Sequence, residues 1–481
     1  MGTGVFTGRP DSVSPAVGCR WPGQSYRARM LVPDAIVDPR RCRWLGFAGS
    51  VAIAVGGLTA GALPVRDAAG PYGGRLGLAG AYFGLVLLVA AWWWLGRAVR
   101  GPEPPGERFL LVTLGIWAMP LVLGPPLFSR DVYSYLVQGT MAAAHMDVYA
   151  HGADRLGGPL AAEVPPIWQH TPTPYGPVFL VVARAAVPLG IVGMRLVALF
   201  GVALMIAFLL VLAERCGTDR SAALWLGALN PLLLLHLVAG AHNDAVMLGL
   251  LGAGLVAASG RWPVSAAVLV TLAALVKVPA VLGLFVVASI WSNRLHGRAR
   301  LVRTGLATLA VAVATTVAAT AATGTGYGWI GALGTPVSAH NWSLTGTLGR
   351  LTGAVPAWRF LGVAAIAVVL LLVWRRRHGL GPVYALGLGL AAVALLGPAI
   401  RPWYVLWALF PIAAAAPRGR VRRWAAAGSG VLALAVLPDG FAPDVRQLVL
   451  AVSGGGLAAL ALLTWRAVAR LQAVDAPGTL P

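Results

Sequence analysis

Residues 194–213 read MRLVALFGVALMIAFLLVLA and carry a single charge, that of Arg195. About 20 predominantly apolar residues are what an α-helix needs to cross the hydrocarbon layer of a bilayer. Similar runs, bounded by charge, proline or glycine, recur along the chain and predict an all-α, polytopic transmembrane helical bundle of about 14 spans. The other predicted spans lie near 44–63, 76–96, 109–127, 221–239, 244–259, 263–276, 279–292, 301–322, 360–374, 381–398, 402–416, 422–438 and 445–465.

The composition of the chain agrees with a membrane protein. Of 481 residues, 58% are hydrophobic and 11% are charged, with a mean hydropathy of +0.77; soluble domains average about 25% charged residues. The net charge of +21 is distributed in short arginine runs between apolar stretches, so no basic domain is available to bind nucleic acid. Three isolated cysteines lack metal-ligand spacing and are interpreted as unpaired thiols.

The predicted domain organisation is simple. Residues 1–43 are polar and contain no apolar segment that could serve as a signal peptide, so they are predicted to be a disordered cytoplasmic tail. Residues 44–465 form the transmembrane domain, with a large outer loop at 128–193 and a second at 324–359. Residues 466–481 are predicted to be a second cytoplasmic tail.

Orientation follows from arginine, because cytoplasmic loops are enriched in basic residues. With the spans given above, all five arginine clusters fall on one side, which places both termini in the cytoplasm. The clusters are Arg40, Arg41 and Arg43; Arg97 and Arg100; Arg294, Arg298, Arg300 and Arg303; Arg375, Arg376 and Arg377; and Arg418, Arg420, Arg422 and Arg423.

Two segments leave the topology open. The segment 178–190 is short and contains Arg184, and is predicted to be an interfacial helix on the membrane surface. The runs around Lys277-Val278-Pro279 are each short for a span, so 263–292 could instead be one helix broken at the proline. If 178–190 spans and 263–292 crosses once, the arginine clusters stay inside and only His242–Asp244 moves to the inner side.

In the preferred topology, the outer face collects the polar groups that lie at membrane depth, where such groups are costly and usually functional. Asp131 opens the first outer loop, where partial desolvation would raise its proton affinity and make it a general base. Neighbouring Arg130 could bind a phosphate. The alternative is that Asp131 only caps the helix that starts at Val132, with help from Ser129.

Further candidates for substrate or phosphate binding lie in the same loop and beyond it. Aromatic rings stack on the apolar faces of sugars, although they also anchor loops at the bilayer interface. His242 and Asn243 could donate to a phosphate or a sugar hydroxyl, whereas Asp244 could simply cap the helix from Ala245. The candidates outside Asp131 and Arg130 are Tyr133, Asp147, Trp168, His170, Tyr175, His242, Asn243, Asp244, Lys277, His340, Asn341 and Arg401.

Lys277 is the only lysine among 37 basic residues. Its ammonium could extend to the interface or pair with a lipid phosphate, and we favour the phosphate. No nucleotide-binding, zincin or haem motif is present, so an activated donor would have to arrive ready-made, as a polyprenyl phosphate carrier does. No metal ligand is assigned and no cofactor is required, although a divalent cation could accompany the phosphate.

The residues also resemble a known family. The stretches Phe128–Tyr135, Thr171–Pro177, Leu229–Pro231, His242–Asp244, Lys277–Pro279, His340–Trp342 and Arg401–Tyr404 are similar to those of the actinobacterial polyprenol-phosphate-mannose-dependent α-1,6-mannosyltransferases. These enzymes are GT-C membrane glycosyltransferases that extend the mannan backbone of lipomannan. The similarity covers about 120–410. The usual Gly-x-Asp-Pro-Tyr of the loop reads His145-Met-Asp147-Val148-Tyr149 here, which puts the role of Asp147 in doubt.

The resemblance implies a GT-C fold with two surface helices in the first outer loop, at 132–146 and 178–190. It further implies that 44–465 is a glycosyltransferase domain, that 128–193 is its catalytic loop, and that Asp131 is the catalytic base of an inverting displacement. The implied partners are a polyprenyl-phosphate sugar donor, a lipid-anchored mannan acceptor and the plasma-membrane bilayer, with the active site extracytoplasmic. Two alternatives remain: a GT-C transferase for another sugar such as arabinofuranose, and a transporter or flippase for a lipid-linked sugar.

The arginine distribution generates a prediction about topology. In a variant whose three cysteines are replaced by serine, a cysteine placed within 150–165 should react with an impermeant thiol reagent in intact cells. A cysteine placed within 375–378 should react only after the membrane is opened. The reverse labelling pattern would invert the topology and remove the proposed outer site.

Overall fold

The computed structural model describes residues 38–61, 71–334, 337, 343–437 and 445–474. In these ranges the chain is helical and contains no β-strand. The candidates His340 and Asn341, and most of the predicted terminal tails, lie outside the described residues. Each predicted apolar run falls largely on a helical segment.

The described ranges contain twenty α-helices, numbered in chain order. They are α1 Pro39–Ala60, α2 Pro71–Val99, α3 Glu107–Leu123, α4 Asp131–Ala143, α5 Gly158–Ala162, α6 Pro166–Gln169, α7 Pro177–Ala186, α8 Gly190–Arg215, α9 Arg220–Ala223, α10 Asp244–Ser259, α11 Pro263–Val276, α12 Leu282–Ser292, α13 Arg300–Thr323, α14 Leu344–Thr352, α15 Val355–Arg375, α16 Arg377–Leu380, α17 Pro382–Leu396, α18 Val405–Ala415, α19 Arg420–Leu434 and α20 Val445–Val474. Two π-helical segments, Leu224–Ala228 and Leu233–Ala239, lie between α9 and α10.

Length and composition qualify six helical segments of the described chain as membrane spans: those in α1, α2, α7–α8, α13, α15 and α20. A seventh is the segment 220–239, which bends by 65° between its two halves. Asn230 and Pro231 lie at that bend. Proline lacks the amide hydrogen that a continuous helix needs, which accounts for the break. Five further apolar helices have between 10 and 17 residues. The protein is therefore a polytopic helical membrane protein.

The helices α10, α11 and α12 form two consecutive hairpins. A Cβ built on Gly283 of α12 would lie 2.9 Å from Val270 of α11 and 2.7 Å from Leu251 of α10. In one continuous helix, residues 270 and 283 would be about 20 Å apart. Residues 263–292 are thus two antiparallel helices, and Lys277, with extended backbone angles of φ −154° and ψ 121°, forms the turn between them.

The segment 178–190 also behaves as a separate helix. Helical structure continues from Pro177 to Arg215, but the chain turns at Gly190, whose φ of +56° belongs to the region that favours glycine. Gly193 lies directly against the carbonyl of Ala186, a contact that a straight helix cannot make over seven residues. The apolar face of α7 packs against α4, which is itself largely buried by protein.

The predicted tail boundaries need correction. Helix α1 starts at Pro39, where the side chain of Asp38 accepts a hydrogen bond from the Arg40 amide at 2.9 Å, so 39–43 is helical and not disordered. Helix α20 continues to Val474, nine residues past the predicted end of the last span. Proline at the first helical position and an aspartate cap are both strong helix-start signals that the apolar pattern alone did not include.

Candidate active site

Four chain turns meet at one end of the helical bundle. They are the start of α4, the turn before α10, the α11–α12 turn and the α17–α18 turn. Each of them contributes at least one of the polar residues that the sequence predicted, namely Asp131, His242, Lys277 and Arg401. The helices themselves are apolar, so the polar groups concentrate where the chain reverses direction.

The centre of this region is a buried ion pair. Lys277 Nζ lies 2.7 Å from Asp244 Oδ2, and the indole N–H of Trp407 donates to Asp244 Oδ1. Asp244 is fully buried, and the side chain of Lys277 is 10% exposed. Asp244 therefore binds Lys277 and does not cap α10, whose cap residue, Asn243, makes no capping side-chain bond. The ammonium of Lys277 is thus buried within the protein and paired.

Aromatic rings surround the ammonium of Lys277. It lies 5.0 Å from the ring centre of Tyr404, 5.6 Å from that of Trp407 and 5.7 Å from that of Tyr175. Asn243 Oδ1 is a further 3.5 Å contact. A cation held among ring faces keeps its position and its charge. Lys277 thus remains cationic although Asp244 offsets part of its field.

A second pair is formed by Asp131 and His242. Asp131 Oδ2 lies 3.5 Å from His242 Nε2, while His242 Nδ1–H donates to the backbone carbonyl of His236 at 2.7 Å. The carbonyl can only accept, so it fixes which ring nitrogen points at the carboxylate. The Trp403 ring packs 4.2 Å from the His242 ring. Asp131 keeps 15% of its side chain exposed, so it can be reached by a ligand.

The structure rules out the alternative role of Asp131 as a helix cap and corrects the expected direction of its pKa. Asp131 is the first residue of α4, its own amide donates to Ser129 Oγ at 3.1 Å, and its carboxylate faces His242, so it is not a helix cap. Burial alone would raise the pKa of Asp131, but His242, Arg401 and Lys277 outweigh it, and the pKa lies below its ordinary value. Asp131 is ionised at neutral pH, as a proton acceptor must be.

A cavity of about 320 Å³ opens beside these pairs. Lys277 lines it together with the rings of Trp168, Tyr175, Tyr404 and Trp407, and α4 contributes Ser134 and Gln138. Its size is at the lower end of small-molecule sites, and its mix of rings and few polar groups is typical of them. Asp131 does not line this cavity itself; it lies one helical turn from Ser134 on α4.

Arg401 lies close to this cavity. It is 7% exposed, its guanidinium lies 5.6 Å from the ring centre of Trp168, and its charge lowers the pKa of Asp131. Arg401 therefore adds positive potential at the same end of the bundle as Lys277. Both are placed to interact with an anion.

Four predicted residues have structural partners instead. Arg130 pairs with Glu163, through the Glu163 carboxylate and its backbone carbonyl at 2.9 Å, so its charge is already compensated. Tyr133 is buried beside Arg130, outside the cavity. The remaining two point away from the cavity: Asp147 accepts from the amides of Tyr149 at 2.9 Å and Ala150 at 3.1 Å, and His170, 80% exposed, pairs with Asp154 at 2.9 Å.

Sequence reasoning did not single out five residues that lie in or beside this region, Trp407, Ser134, Gln138, His236 and Arg195. Trp407 lies six residues beyond Arg401 inside an apolar run, which hid its role as a donor to Asp244. Ser134 and Gln138 follow Asp131 at the helical spacing that shares its face, a signal that was available. His236 and Arg195 were assigned to apolar spans.

Arg195 holds together the two loops that carry the Asp131–His242 pair. Its guanidinium donates to the carbonyls of Val122 at 2.6 Å, Gly124 at 2.8 Å and Ala239 at 3.1 Å. The first two carbonyls belong to the end of α3, shortly before Asp131, and the third precedes His242 by three residues. A rigid planar guanidinium that binds three carbonyls fixes the distance between these loops.

Among the described residues, no group of three or more histidine, cysteine, aspartate or glutamate side chains could hold a metal ion. The polar groups of the site are arranged in pairs, Asp244 with Lys277 and Asp131 with His242. The second of these includes an ionised carboxylate that a substrate hydroxyl could approach.

Comparison with known proteins places the chain in a family. Residues 43–293 match the model of the α-(1→6)-mannopyranosyltransferase N-terminal domain, and residues 332–465 match the MptB C-terminal domain. The chain belongs to the α-(1→6)-mannopyranosyltransferase family. The resemblance seen in the sequence is thereby confirmed.

Three relatives of this family illustrate the similarity. A probable α-(1→6)-mannopyranosyltransferase of Mycolicibacterium smegmatis is 33% identical over 99% of this chain and 98% of its own length. α-(1→6)-mannopyranosyltransferase B of Corynebacterium glutamicum is 33% identical over 92% of this chain and 84% of its own. α-(1→6)-mannopyranosyltransferase A of Mycobacterium tuberculosis is 35% identical over 82% of this chain and 84% of its own. No solved structure matches the chain.

The buried ion pair generates a stability prediction. Lys277→Met should lower the thermal unfolding midpoint of the purified protein strongly, because an uncompensated carboxylate then stays buried, at a cost of about 3–5 kcal/mol. The double variant Lys277→Met/Asp244→Asn should recover most of the loss, since the amide oxygen of asparagine still accepts from Trp407. If the double variant unfolds no higher than the single one, the pair does not hold these turns together.

Proposed function

We propose that this protein is a membrane mannosyltransferase that moves mannose from polyprenyl-phosphate mannose to a lipid-linked mannan, the backbone of lipomannan and lipoarabinomannan, with an α-1,6 linkage. One observation carries the proposal beyond family membership. An ionised, reachable carboxylate lies at the same end of the bundle as a cation-bearing, ring-lined cavity. Proton abstraction and phosphate binding are the two tasks that such a transfer requires.

Asp131 is the base in this proposal. The other carboxylates of the described outer segments have partners: Asp244 binds Lys277, Glu163 binds Arg130, Asp154 binds His170 and Asp147 accepts from its own turn. Asp131 lies 3.5 Å from His242 and remains partly exposed. It takes the proton of the acceptor hydroxyl as that oxygen attacks the anomeric carbon of the donor, and the configuration inverts.

The leaving phosphate departs on the opposite face of the sugar. Its anion is stable without protonation, so the reaction needs positive potential and no general acid. Lys277 and Arg401 supply that potential, with the Lys277 ammonium lining the cavity. This arrangement requires no bound cofactor, and activity in the presence of EDTA tests whether a divalent cation accompanies the phosphate.

A second, apolar cavity supports a lipid-linked donor. It measures about 250 Å³ and lies between α12, α15 and α17, with Leu282, Leu370 and Gly389 in its wall. The first cavity reaches Ile366 on α15 and Val393 on α17, each about one helical turn from this wall. The two cavities therefore follow one another along the same helices. We assign the second to the isoprenoid chain of the donor.

The side of the membrane follows from the arginine clusters. They flank the ends of the helices opposite the site, as in α12, which starts at the Lys277 turn and ends just before Arg294. Because basic residues favour the cytoplasmic side, the proposal places the site on the extracytoplasmic face of the plasma membrane and both termini in the cytoplasm.

The decisive assay uses membranes that contain the protein, radiolabelled polyprenyl-phosphate mannose and short α-1,6-mannoside acceptors. The product should be one mannose longer and sensitive to an α-1,6-specific mannosidase. Parallel reactions with a polyprenyl-phosphate arabinofuranose donor test the other sugar. Transfer of arabinose but not mannose, or movement of the lipid-linked sugar across vesicles without transfer, would contradict the proposal.

The role of Asp131 is tested by Asp131→Asn, which keeps the shape of the side chain but cannot accept the proton. General-base catalysis contributes about 10²–10⁴-fold, so transfer should fall by at least the lower figure while the amount of protein in the membrane is unchanged. Asp154→Asn, at an exposed aspartate of the same loop, is the matched control and should retain normal transfer. Near-normal transfer by Asp131→Asn would refute the proposed base.

The role of the second cavity is tested by Gly389→Leu. A Cβ at this position already lies 2.9 Å from Leu370, so a leucine fills the cavity. The KM for a long-chain donor should rise severalfold, whereas a donor with one or two isoprene units should be used as before. Gly305→Leu adds the same bulk on α13, where nothing lies within 4 Å, and should change neither. Equal losses with long and short donors would show that the isoprenoid chain of the donor binds elsewhere.

A further inference from the structure

Helix α4 presents three polar side chains at the spacing of one helical face. Asp131, Ser134 and Gln138 are separated by three and four residues, so they follow one another along the helix. Ser134 and Gln138 line the cavity that contains Lys277. Asp131 faces His242 at the start of the same helix. The helix that carries the proposed base therefore also forms part of the wall of the binding cavity.

Two atoms of this wall have no hydrogen-bond partner among the described residues. They are Ser134 Oγ and Gln138 Oε1, both shielded from the surface. A buried polar atom left unpaired costs about 1–3 kcal/mol, and few remain so in native proteins. Ser134 and Gln138 lie on successive turns and both line one cavity, so a polar ligand in that cavity would be placed beside both residues.

Another hydroxyl of α4 shows that the helix geometry allows such a group to find a hydrogen-bond partner within the helix. Thr140 Oγ1 donates to the carbonyl of Leu136 at 2.8 Å, which satisfies the hydroxyl within the helix. No such bond to a backbone carbonyl is formed by Ser134. The Ser134 hydroxyl is thus left without a partner in its own helix.

The chemistry of the two atoms limits the ligand. The Gln138 carbonyl oxygen can only accept, and the Ser134 hydroxyl can accept and donate, so the ligand must carry hydrogen-bond donors. Positive donors are disfavoured beside Lys277. Hydroxyl groups fit, and the rings of Tyr175, Tyr404 and Trp168 in the same wall fit the apolar C–H faces between them.

We propose that Ser134 and Gln138 determine sugar specificity by hydrogen bonding to hydroxyls of the hexose being transferred, while its phosphate lies at Lys277. This inference rests on the proposed function and adds which residues recognise the sugar. A site built around a hydroxyl discriminates against an analogue that lacks it, because its own polar atoms are then left unpaired. The same hydrogen bonds would orient the anomeric carbon relative to the cavity wall.

The test is a coupling experiment between protein and substrate. Donors that lack a single hydroxyl, at C2, C3, C4 or C6 of the mannose, are compared with the complete donor by kcat/KM in the wild-type protein, Ser134→Ala and Gln138→Leu. The wild-type protein should lose about 10- to 100-fold with the donor that lacks a contacted hydroxyl. Each variant should show a similar loss with the complete donor and little further loss with one particular deoxy donor.

Two controls separate recognition from packing. Thr140→Ala removes a hydroxyl of the same helix that is already bonded to the Leu136 carbonyl. With the deoxy donors, this variant should lose the same fraction of its kcat/KM as the wild-type protein does. Ser134→Thr retains the hydroxyl and should restore discrimination that Ser134→Ala loses. A disturbed helix would lower activity with every donor by the same factor.

The outcomes are distinct. One outcome is that the fold losses in kcat/KM caused by the variant and by the missing hydroxyl simply multiply for every deoxy donor. In that case the two side chains bind only water, and the inference is overturned. If the wild-type protein transfers no mannose from the complete donor, the proposed function fails first and the inference falls with it. If the loss in one variant is not additive with the loss of one particular hydroxyl, both the proposed function and this inference are supported.

Discussion

The buried ion pair between Lys277 and Asp244 is the interaction on which the arrangement of the site depends. It links the α11–α12 turn to the start of α10, and through the Trp407 indole it reaches α18. Two charges removed from water are stable only while each is paired with the other. The pair therefore favours the arrangement in which the α10–α11, α11–α12 and α17–α18 hairpins meet. Lys277 and Trp407, two of the three residues in this group of contacts, also line the cavity.

The apolar framework could be predicted from the sequence because it depends on local properties. Runs of apolar residues located the helices, and the break at Lys277-Val278-Pro279 was correct because proline acts on its immediate neighbours. Even the separate helix at 178–190 was found from its shortness and its arginine. These features need no knowledge of what lies opposite in space.

Several of the polar residues singled out in the sequence lie close together, but their contacts were not predicted. The polar residues at Asp131, His242–Asp244, Lys277 and Arg401 do converge, but their partners come from distant segments that no spacing rule reveals. Asp244 was misread as a cap because Lys277 lies 33 residues away and meets it only through a hairpin. The pKa of Asp131 was expected to rise, since His242 and Arg401 could not be placed beside it. For the same reason Glu163 was not foreseen as the partner of Arg130.

The pairing of Asp244, Lys277 and Trp407 has a consequence for how the chain is made. The first two become available when one helical hairpin is complete, whereas Trp407 is synthesised 130 residues later. At about 5–20 residues per second, the ribosome takes roughly 7–26 seconds to reach it. During that interval a charged pair sits in the bilayer with one carboxylate oxygen still lacking its indole donor. The nascent protein thus contains both charges, and the Tyr175 ring, well before Tyr404 and Trp407 complete the surroundings of Lys277.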